Sequence, residues 1–315
     1  MKDHPAPNSG KFDDPLTCAD GQARASVRME GIRTFWVNTG TLCNIACSHC
    51  YIESSPTNDA LVYITAEETR RHLDATLAAG HPVEEVGFTG GEPFLNPEFP
   101  QMIEDALARG LQVLILSNAM KPMMRPRPMA ALERLHRAHP GQITVRVSLD
   151  HYAAGPHDAE RGAGAFDESI RGMRWLRDLG VGLAVAGRGF TDETEAQMRA
   201  GYAALFEAED LPIDAADPSR CVLFPEMDMN AEVPEITTAC WGILNKNPKD
   251  VMCASSRMLV HRRGAAEASF AACTLLPHEG QFDMGSGVPR IGEDVALNHP
   301  HCAKFCVLGG ASCAA

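Results

Sequence analysis

The 315-residue sequence contains no apolar run approaching the length of a membrane-spanning helix, and each bilayer crossing needs about 20 consecutive apolar residues. Its first residues, MKDHPAPNSGKFDDP, lack the apolar stretch of a secretory signal. Basic residues are in deficit: 28 Lys and Arg stand against 41 Asp and Glu, a formal net charge of −13. Such a chain repels phosphate backbones, which disfavours nucleic acid as a partner. The nearest thing to a basic patch, residues 120–127 (MKPMMRPR), has the composition of a loop after a strand. Internal repeats and low-complexity tracts are also missing. With 45% hydrophobic residues the chain has ample material for a core, which argues against disorder. These features predict a cytoplasmic protein without membrane contact.

Against these absences stand eleven cysteines. A reducing compartment disfavours disulfides, so ligation of a metal or a cluster is the better use for them.

The pattern along the chain is a strand–helix alternation. Apolar runs at residues 34–38, 85–89, 111–116, 143–149, 182–186 and 221–224 read as strands. Helical periodicity marks residues 66–79, 100–109, 129–138, 166–179 and 192–206. Thr65 and Glu68 have the spacing of a capping box at the first of these helices. Repeated strand–helix units predict a parallel sheet with right-handed crossovers, either a partial barrel or an open doubly wound sheet. In both, the chemistry belongs at the C-terminal ends of the strands. After about Met227 the periodicity fades and cysteines recur. The expected division is an N-terminal leader (1–30), a βα domain (31–230) and a small Cys-rich domain (231–315).

Cys43, Cys47 and Cys50 share one loop in TGTLCNIACSHCY, with C-x3-C-x2-C spacing. Thiolates suit zinc or iron–sulfur clusters. A structural zinc needs a fourth protein ligand, for which His49 is the candidate. Three cysteines alone instead leave one iron of a cubane open. In TGGEPFLN, after the second strand, Gly90 and Gly91 allow close approach of backbone to a ligand, and Glu92 offers an acceptor to an ammonium. Polar residues end the later strands: Ser117 and Asn118, then Ser148 and Asp150, then Arg188, whose guanidinium suits a carboxylate. His157, Asp158 and Arg161 fall in the next connection; a substrate-facing role is the alternative, and a solvated loop is the favoured reading.

The three-Cys loop together with the GGE segment resembles the radical S-adenosylmethionine (SAM) superfamily. The resemblance implies an α/β partial (βα)6 barrel. It implies a 4Fe–4S cluster on Cys43, Cys47 and Cys50, with SAM chelating the open iron through its amino and carboxylate groups. His49 and Tyr51 stand at the family's aromatic position and beside it. Gly90, Gly91 and Glu92 correspond to the motif that binds the SAM amino group; Ser117, Asn118, Ser148, Asp150 and Arg188 correspond to strand-end groups near SAM. The implied activity is that of an oxidoreductase or maturase. SAM is cleaved reductively to methionine and a 5′-deoxyadenosyl radical, which takes hydrogen from a peptide or small-molecule substrate. Flavodoxin or ferredoxin would supply the electron. The leader is short for an added peptide-recognition domain. The C-terminal cysteines resemble the auxiliary-cluster extensions called SPASM and twitch, although the hairpin loop is longer and C-x3-C-x6-C departs from the usual spacing. This resemblance implies an auxiliary 4Fe–4S cluster on Cys253, Cys273, Cys302 and Cys306, with Cys313 as contender. A structural zinc, with His299 and His301 as further ligands, is the alternative there. Residues 258–261 and 268–272 would form the hairpin. Cys18, Cys221 and Cys240 read as ordinary thiols. A non-catalytic zinc- or cluster-binding scaffold, or a redox sensor, is the rival class.

Overall fold

The computed structural model describes residues 8, 10–226 and 231–309. Strand β1 is Ser26–Arg28. The βα series then runs β2 (Thr34–Asn38), α1 (Ala66–Ala78), β3 (Glu85–Thr89), α2 (Phe99–Leu107), β4 (Gln112–Ser117), α3 (Pro126–Ala138) and β5 (Ile143–Ser148). It continues through α4 (Ala154–Arg161), α5 (Ala165–Leu179), β6 (Gly182–Gly189), α6 (Glu195–Ala208) and β7 (Cys221–Pro225). The C-terminal part contributes α7 (Cys240–Ile243), β8 (Ser256–Val260), β9 (Ser269–Ala271), β10 (Asp294–Ala296) and a π-helix, Cys302–Leu308.

Strands β2 to β7 lie side by side in chain order and all pair in parallel, the α/β arrangement that the alternation predicts. Consecutive strands are neighbours because each helix returns the chain to the same end of the sheet. The helices start where local chemistry satisfies their free amides. Thr65 and Glu68 form the capping box of α1, and Thr194 and Gln197 form one at α6.

The sheet does not stop at β2. Strand β8 pairs in parallel with β2, Thr34 opposite Ser256, and β9 turns back antiparallel to it, Met258 opposite Ala271. The expected hairpin is therefore formed, and it extends the barrel sheet to eight strands. The boundary expected near Asn230 falls at residues 227–230, outside the described residues. The N-terminal segment is likewise tied to the C-terminal part: β1 pairs with β10, and Arg24 is salt-bridged to Glu235 at 2.5 Å.

Strand side chains alternate between two apolar layers, as a period of two requires. Phe35, Val37, Val113, Ile115, Val145 and Val147 face the helices, where Met102, Ile170 and Met173 pack on them. Trp36 and Leu114 face the other way, on the same side as Met258 and Val260 of β8, and share a core with Phe282, Leu297, Phe305 and Val307 of the C-terminal part. The C-terminal part thus covers the sheet face that the helices leave open.

One connection differs from its sequence reading. Residues 154–161 form helix α4 rather than a solvated loop. His157 is fully buried there. Asp158 caps α5, accepting hydrogen bonds from the amides of Gly164 (2.7 Å) and Phe166 (2.8 Å). Only His157 of this helix is buried, so it lacks the apolar stripe by which a helix is recognised in sequence.

Candidate active site

A cleft with about 1180 Å3 of open space lies at the C-terminal ends of β2 to β7. The loop after β2 supplies Cys43, Cys47, His49, Cys50 and Tyr51 to its wall. The ends of β3 to β6 supply Gly90, Gly91, Ser117, Asn118, Ser148, Asp150 and Arg188. Except for Glu92, every residue expected at the SAM site from the βα region lines this one space.

The Cys loop is held from below by the double glycine. The Gly91 amide donates to Gly40 O (2.8 Å) and the Glu92 amide to Leu42 O (3.1 Å). A Cβ at Gly91 would sit 2.1 Å from Leu42 O, and one at Gly90, where φ is +141°, 2.6 Å from Gly40 O. The glycines are needed because one loop's backbone lies on another's. The close approach expected toward a ligand is made toward the cysteine loop itself.

Glu92 sits behind the wall rather than in it. It is 1% exposed, and its carboxylate accepts bonds from Ser117 Oγ (2.9 and 3.1 Å) and from the Asn118 amide (2.9 Å). Burial raises its pKa to about 7, and these hydrogen bonds resist the rise. Glu92 therefore ties the end of β3 to the end of β4. Asn118 Nδ2 reaches on to Asn44 Oδ1 (2.9 Å), so the tie extends to the Cys loop.

Among the cysteines, Cys43 is buried, and desolvation pushes its thiol up to about 12. Cys50 Sγ accepts a bond from the Ser54 amide at 3.3 Å. The opposite wall is charged. Asp150 is gripped by Arg161 through two bonds, 2.7 and 2.9 Å, and its carboxyl is held below the usual range against the effect of burial. Arg188, expected to meet a ligand carboxylate, is engaged by the chain's own acids, Glu160 (3.0 Å) and Glu226 (3.1 Å). His49 Nδ1 lies 2.8 Å from the same Glu160 oxygen that Arg188 contacts.

Sequence reasoning missed Glu160 and assigned Arg161 to solvent, because it took their helix for a loop. It also missed Arg146, a 2%-exposed arginine lining the cleft from β5. A charged residue within the alternating run ITVRVS was the available signal. Phe224, Leu275 and Phe305 close the cleft with an apolar side, Phe224 and Phe305 in ring contact at 5.0 Å. They had no motif to announce them.

The C-terminal cysteines gather behind that apolar side. Cys253 and Cys302 are buried, and Cys273 and Cys306 pack partly buried on the same layer. Burial and the neighbouring Cys273 and Cys253 raise the Cys302 thiol well above its ordinary value. Cys302 and Cys306 stand on successive turns of the π-helix. Cys313 lies outside the described residues. His299 and His301 line a second cleft that shares His49, Cys50 and Tyr51 with the first. Among the described residues, no three His, Cys, Asp or Glu side chains converge as a single-ion site requires. A cubane asks for less convergence, since each cysteine binds a different iron.

Comparison with known proteins agrees with this geometry. The chain is 30% identical over 145 residues to the antilisterial bacteriocin subtilosin biosynthesis protein AlbA of Bacillus subtilis (strain 168), covering 46% of this chain and 30% of that one. It is 31% identical over 140 residues to an AdoMet-dependent heme synthase of Nitratidesulfovibrio vulgaris, covering 44% and 35%. It is 28% identical over 138 residues to the mycofactocin maturase MftC of Mycobacterium tuberculosis (strain ATCC 25618 / H37Rv), covering 44% and 32%. The matches span about a third of the length of these relatives. In fold, the chain resembles SuiB of Streptococcus suis, with a TM-score of 0.57, 10% identity, and 83% of this chain and 65% of that one covered. It also resembles anSMEcpe, with a TM-score of 0.55, 13% identity and coverage of 82% and 78%. The family model described as the radical SAM superfamily fits residues 37–200, more than half of the chain and the stretch from the Cys loop to α6, and the chain belongs to that superfamily.

Proposed function

We propose that this protein reductively cleaves SAM in the cleft at the strand ends and uses the resulting radical to modify a peptide. The observation that carries the reading is the convergence of Cys43, Cys47 and Cys50 with the ends of β3 to β6 around one space. The superfamily is one of enzymes that use a 4Fe–4S cluster and SAM, and the donor set fits that pair. Three thiols on one loop leave an iron open, and backbone amides are on hand to donate to sulfur, as Ser54 N does to Cys50. The high pKa of Cys43 means that its proton leaves as metal binds.

Cys43, Cys47 and Cys50 would hold the cluster, and Ser117, Asn118, Ser148, Asp150 and Arg188 would border SAM. When bound, the cluster and SAM supply a one-electron cleavage of the sulfonium to a carbon-centred radical that abstracts hydrogen. The chain's own residues do the rest. The Glu92–Ser117–Asn118 bonds fix the strand ends against the Cys loop. Phe224, Leu275 and Phe305 wall off water on the side away from the charges.

A peptide substrate is supported by relatives described as a bacteriocin biosynthesis protein and a maturase. Cys253, Cys273, Cys302 and Cys306 would hold an auxiliary 4Fe–4S cluster within residues 231–315. A low-potential donor such as flavodoxin or ferredoxin, in the cytoplasm, suits this chemistry.

The test is an anaerobic assay of the iron-loaded protein with SAM and dithionite. Wild type should release 5′-deoxyadenosine. Cys43→Ala should release none, and Cys18→Ala should match wild type. Full activity in Cys43→Ala, or none in a fully loaded wild type, would sink the proposal. Incubation with a precursor peptide encoded beside this gene should change that peptide's mass; an unchanged peptide under active SAM cleavage would remove the peptide assignment alone.

A further inference from the structure

Residues 120–127 (MKPMMRPR) carry three cations and no acid, in a chain whose formal net charge is −13. Composition alone marks them as a loop after a strand. In the fold they run from just after β4 into the first turn of α3. The bond from the Met124 amide to Met120 O (3.3 Å) closes one turn, which sets Lys121 and Arg125 a single turn apart. Arg127 follows on α3, and all three cations are exposed. Exposed arginines elsewhere on the helices are answered by acids, as Arg134 is by Glu104, Arg174 by Glu209 and Arg199 by Glu195. Among the described residues, Arg125 and Arg127 form no such ion pair, and Lys121 meets Glu168 at 3.0 Å.

Behind this patch lies the Cys loop. Met120 is buried, and its Sδ is 4.0 Å from Asn44 Nδ2. Asn44 Oδ1 is in turn 3.9 Å from Cys43 Sγ. None of Lys121, Arg125 and Arg127 lines the cleft. The patch thus reaches the cysteines from the back, where no substrate has to pass. The far side of the loop is acidic at its surface: Glu53 and Glu279 border the second cleft, and both are exposed. We propose that Lys121, Arg125 and Arg127 form the docking surface for an acidic one-electron carrier protein. The inference rests on the SAM-cleaving reading above, which needs an electron from outside. The carrier gives up one electron and the group held by Cys43, Cys47 and Cys50 gains it; no bond or proton moves. The chain as a whole repels an acidic carrier. A local positive surface is needed to orient it, and this one leads to Cys43. A peptide substrate, by contrast, has to enter the cleft, which the patch does not border. Pro122, Pro126 and Pro128 stiffen the segment, so little order is lost when a partner lands.

The experiment is an anaerobic calorimetric titration of the iron-loaded full chain with an acidic flavodoxin. Wild-type binding should weaken as salt rises from about 0.05 M to about 0.5 M, because the screening length shortens. The double variant Arg125→Glu/Arg127→Glu should bind about tenfold more weakly, or worse, and lose most of that salt dependence. Arg33→Glu/Arg290→Glu makes the same change of net charge at the opposite ends of the strands, and should bind like wild type. The rate at which photoreduced flavodoxin bleaches the cluster absorbance should fall in the first variant, while reduction by dithionite keeps its wild-type rate. Equal binding by the two double variants, or wild-type binding indifferent to salt, overturns the inference. So does a patch variant that keeps its flavodoxin affinity and loses affinity for the precursor peptide. If the patch variant fails to load iron, Arg127→Gln and the wild-type salt series decide: weaker, salt-sensitive binding supports the assignment, and unchanged or salt-independent binding overturns it. A loaded wild type that binds flavodoxin in this way yet releases no 5′-deoxyadenosine with dithionite would count against the SAM-cleaving reading and leave the docking surface standing.

Discussion

Glu92 shows how far a side chain's chemistry is set by its neighbours. In an unfolded chain its carboxyl ionises in the ordinary glutamate range, and in the fold only at about 7. Between those values unfolding releases a proton, so the folded state loses stability as pH rises from about 4.5 to 7 and the loss levels off above that. A shift of this size corresponds to roughly 2–4 kcal/mol. Glu92→Gln keeps an acceptor for Ser117 and Asn118 but cannot ionise. Urea unfolding at a series of pH values should show wild type losing stability relative to Glu92→Gln across that window; parallel profiles would show that Glu92 ionises normally. The residue was legible in sequence as part of GGE, but its partners were not. They arrive from the end of β4, 25 residues on, through a strand pairing that no local spacing reveals. The double glycine was legible as a place of close approach, yet what approaches is backbone of the Cys loop. Arg161 was misjudged because a guanidinium in a polar segment has no sequence mark separating a solvated charge from one gripped by Asp150.

Elements whose burial is periodic were readable; those without a stripe were not. The expected barrel strands agree with β2 to β7 within a few residues, since their apolar runs reflect two covered faces. Helix α4 escaped because only His157 faces inward and Gly155 and Pro156 open it. Helix α5 shows why packing overrides propensity. Gly172 lies inside it, where Ala would add about 1 kcal/mol of intrinsic helix stability. A Cβ there would lie 2.0 Å from Ala119 O, in the turn after β4 that carries Asn118. That turn is also held by Ser169 Oγ, which donates to Asn118 O at 2.9 Å. Forcing the helix and turn apart costs more than the propensity gain. Gly172→Ala should therefore lower stability, by about 2 kcal/mol or more. Chemical denaturation measures this, and a stabilised variant would show that the turn yields freely.

For the whole molecule, the C-terminal part is a structural member of the sheet. Removing it exposes the full edge of β2 and the inner face bearing Trp36 and Leu114. It also removes Leu259 and Phe270 from the helix-side core, where full burial of each such side chain contributes about 1.5–3 kcal/mol. A chain ending at residue 230 should then be insoluble or lack cooperative unfolding. Circular dichroism of a soluble fraction would check this, and a cooperative melt near that of the full chain would contradict it. The cysteine spacing hinted at a separate module. The fusion of that module with the barrel sheet was illegible, because parallel pairing of β2 with β8 leaves no turn between them to read.

That pairing also imposes an order in time. Strand β2, which leads into the Cys loop, is made early, and its neighbour β8 follows about 220 residues later. At synthesis rates of about 5–20 residues per second, the first strand waits roughly ten to forty seconds for its partner. The loop of Cys43, Cys47 and Cys50 spends that interval without the layer that closes its cleft, and β1 waits longer still for β10. A cell that makes this protein must therefore keep three thiols reduced and an apolar strand edge unpaired until β8 has emerged.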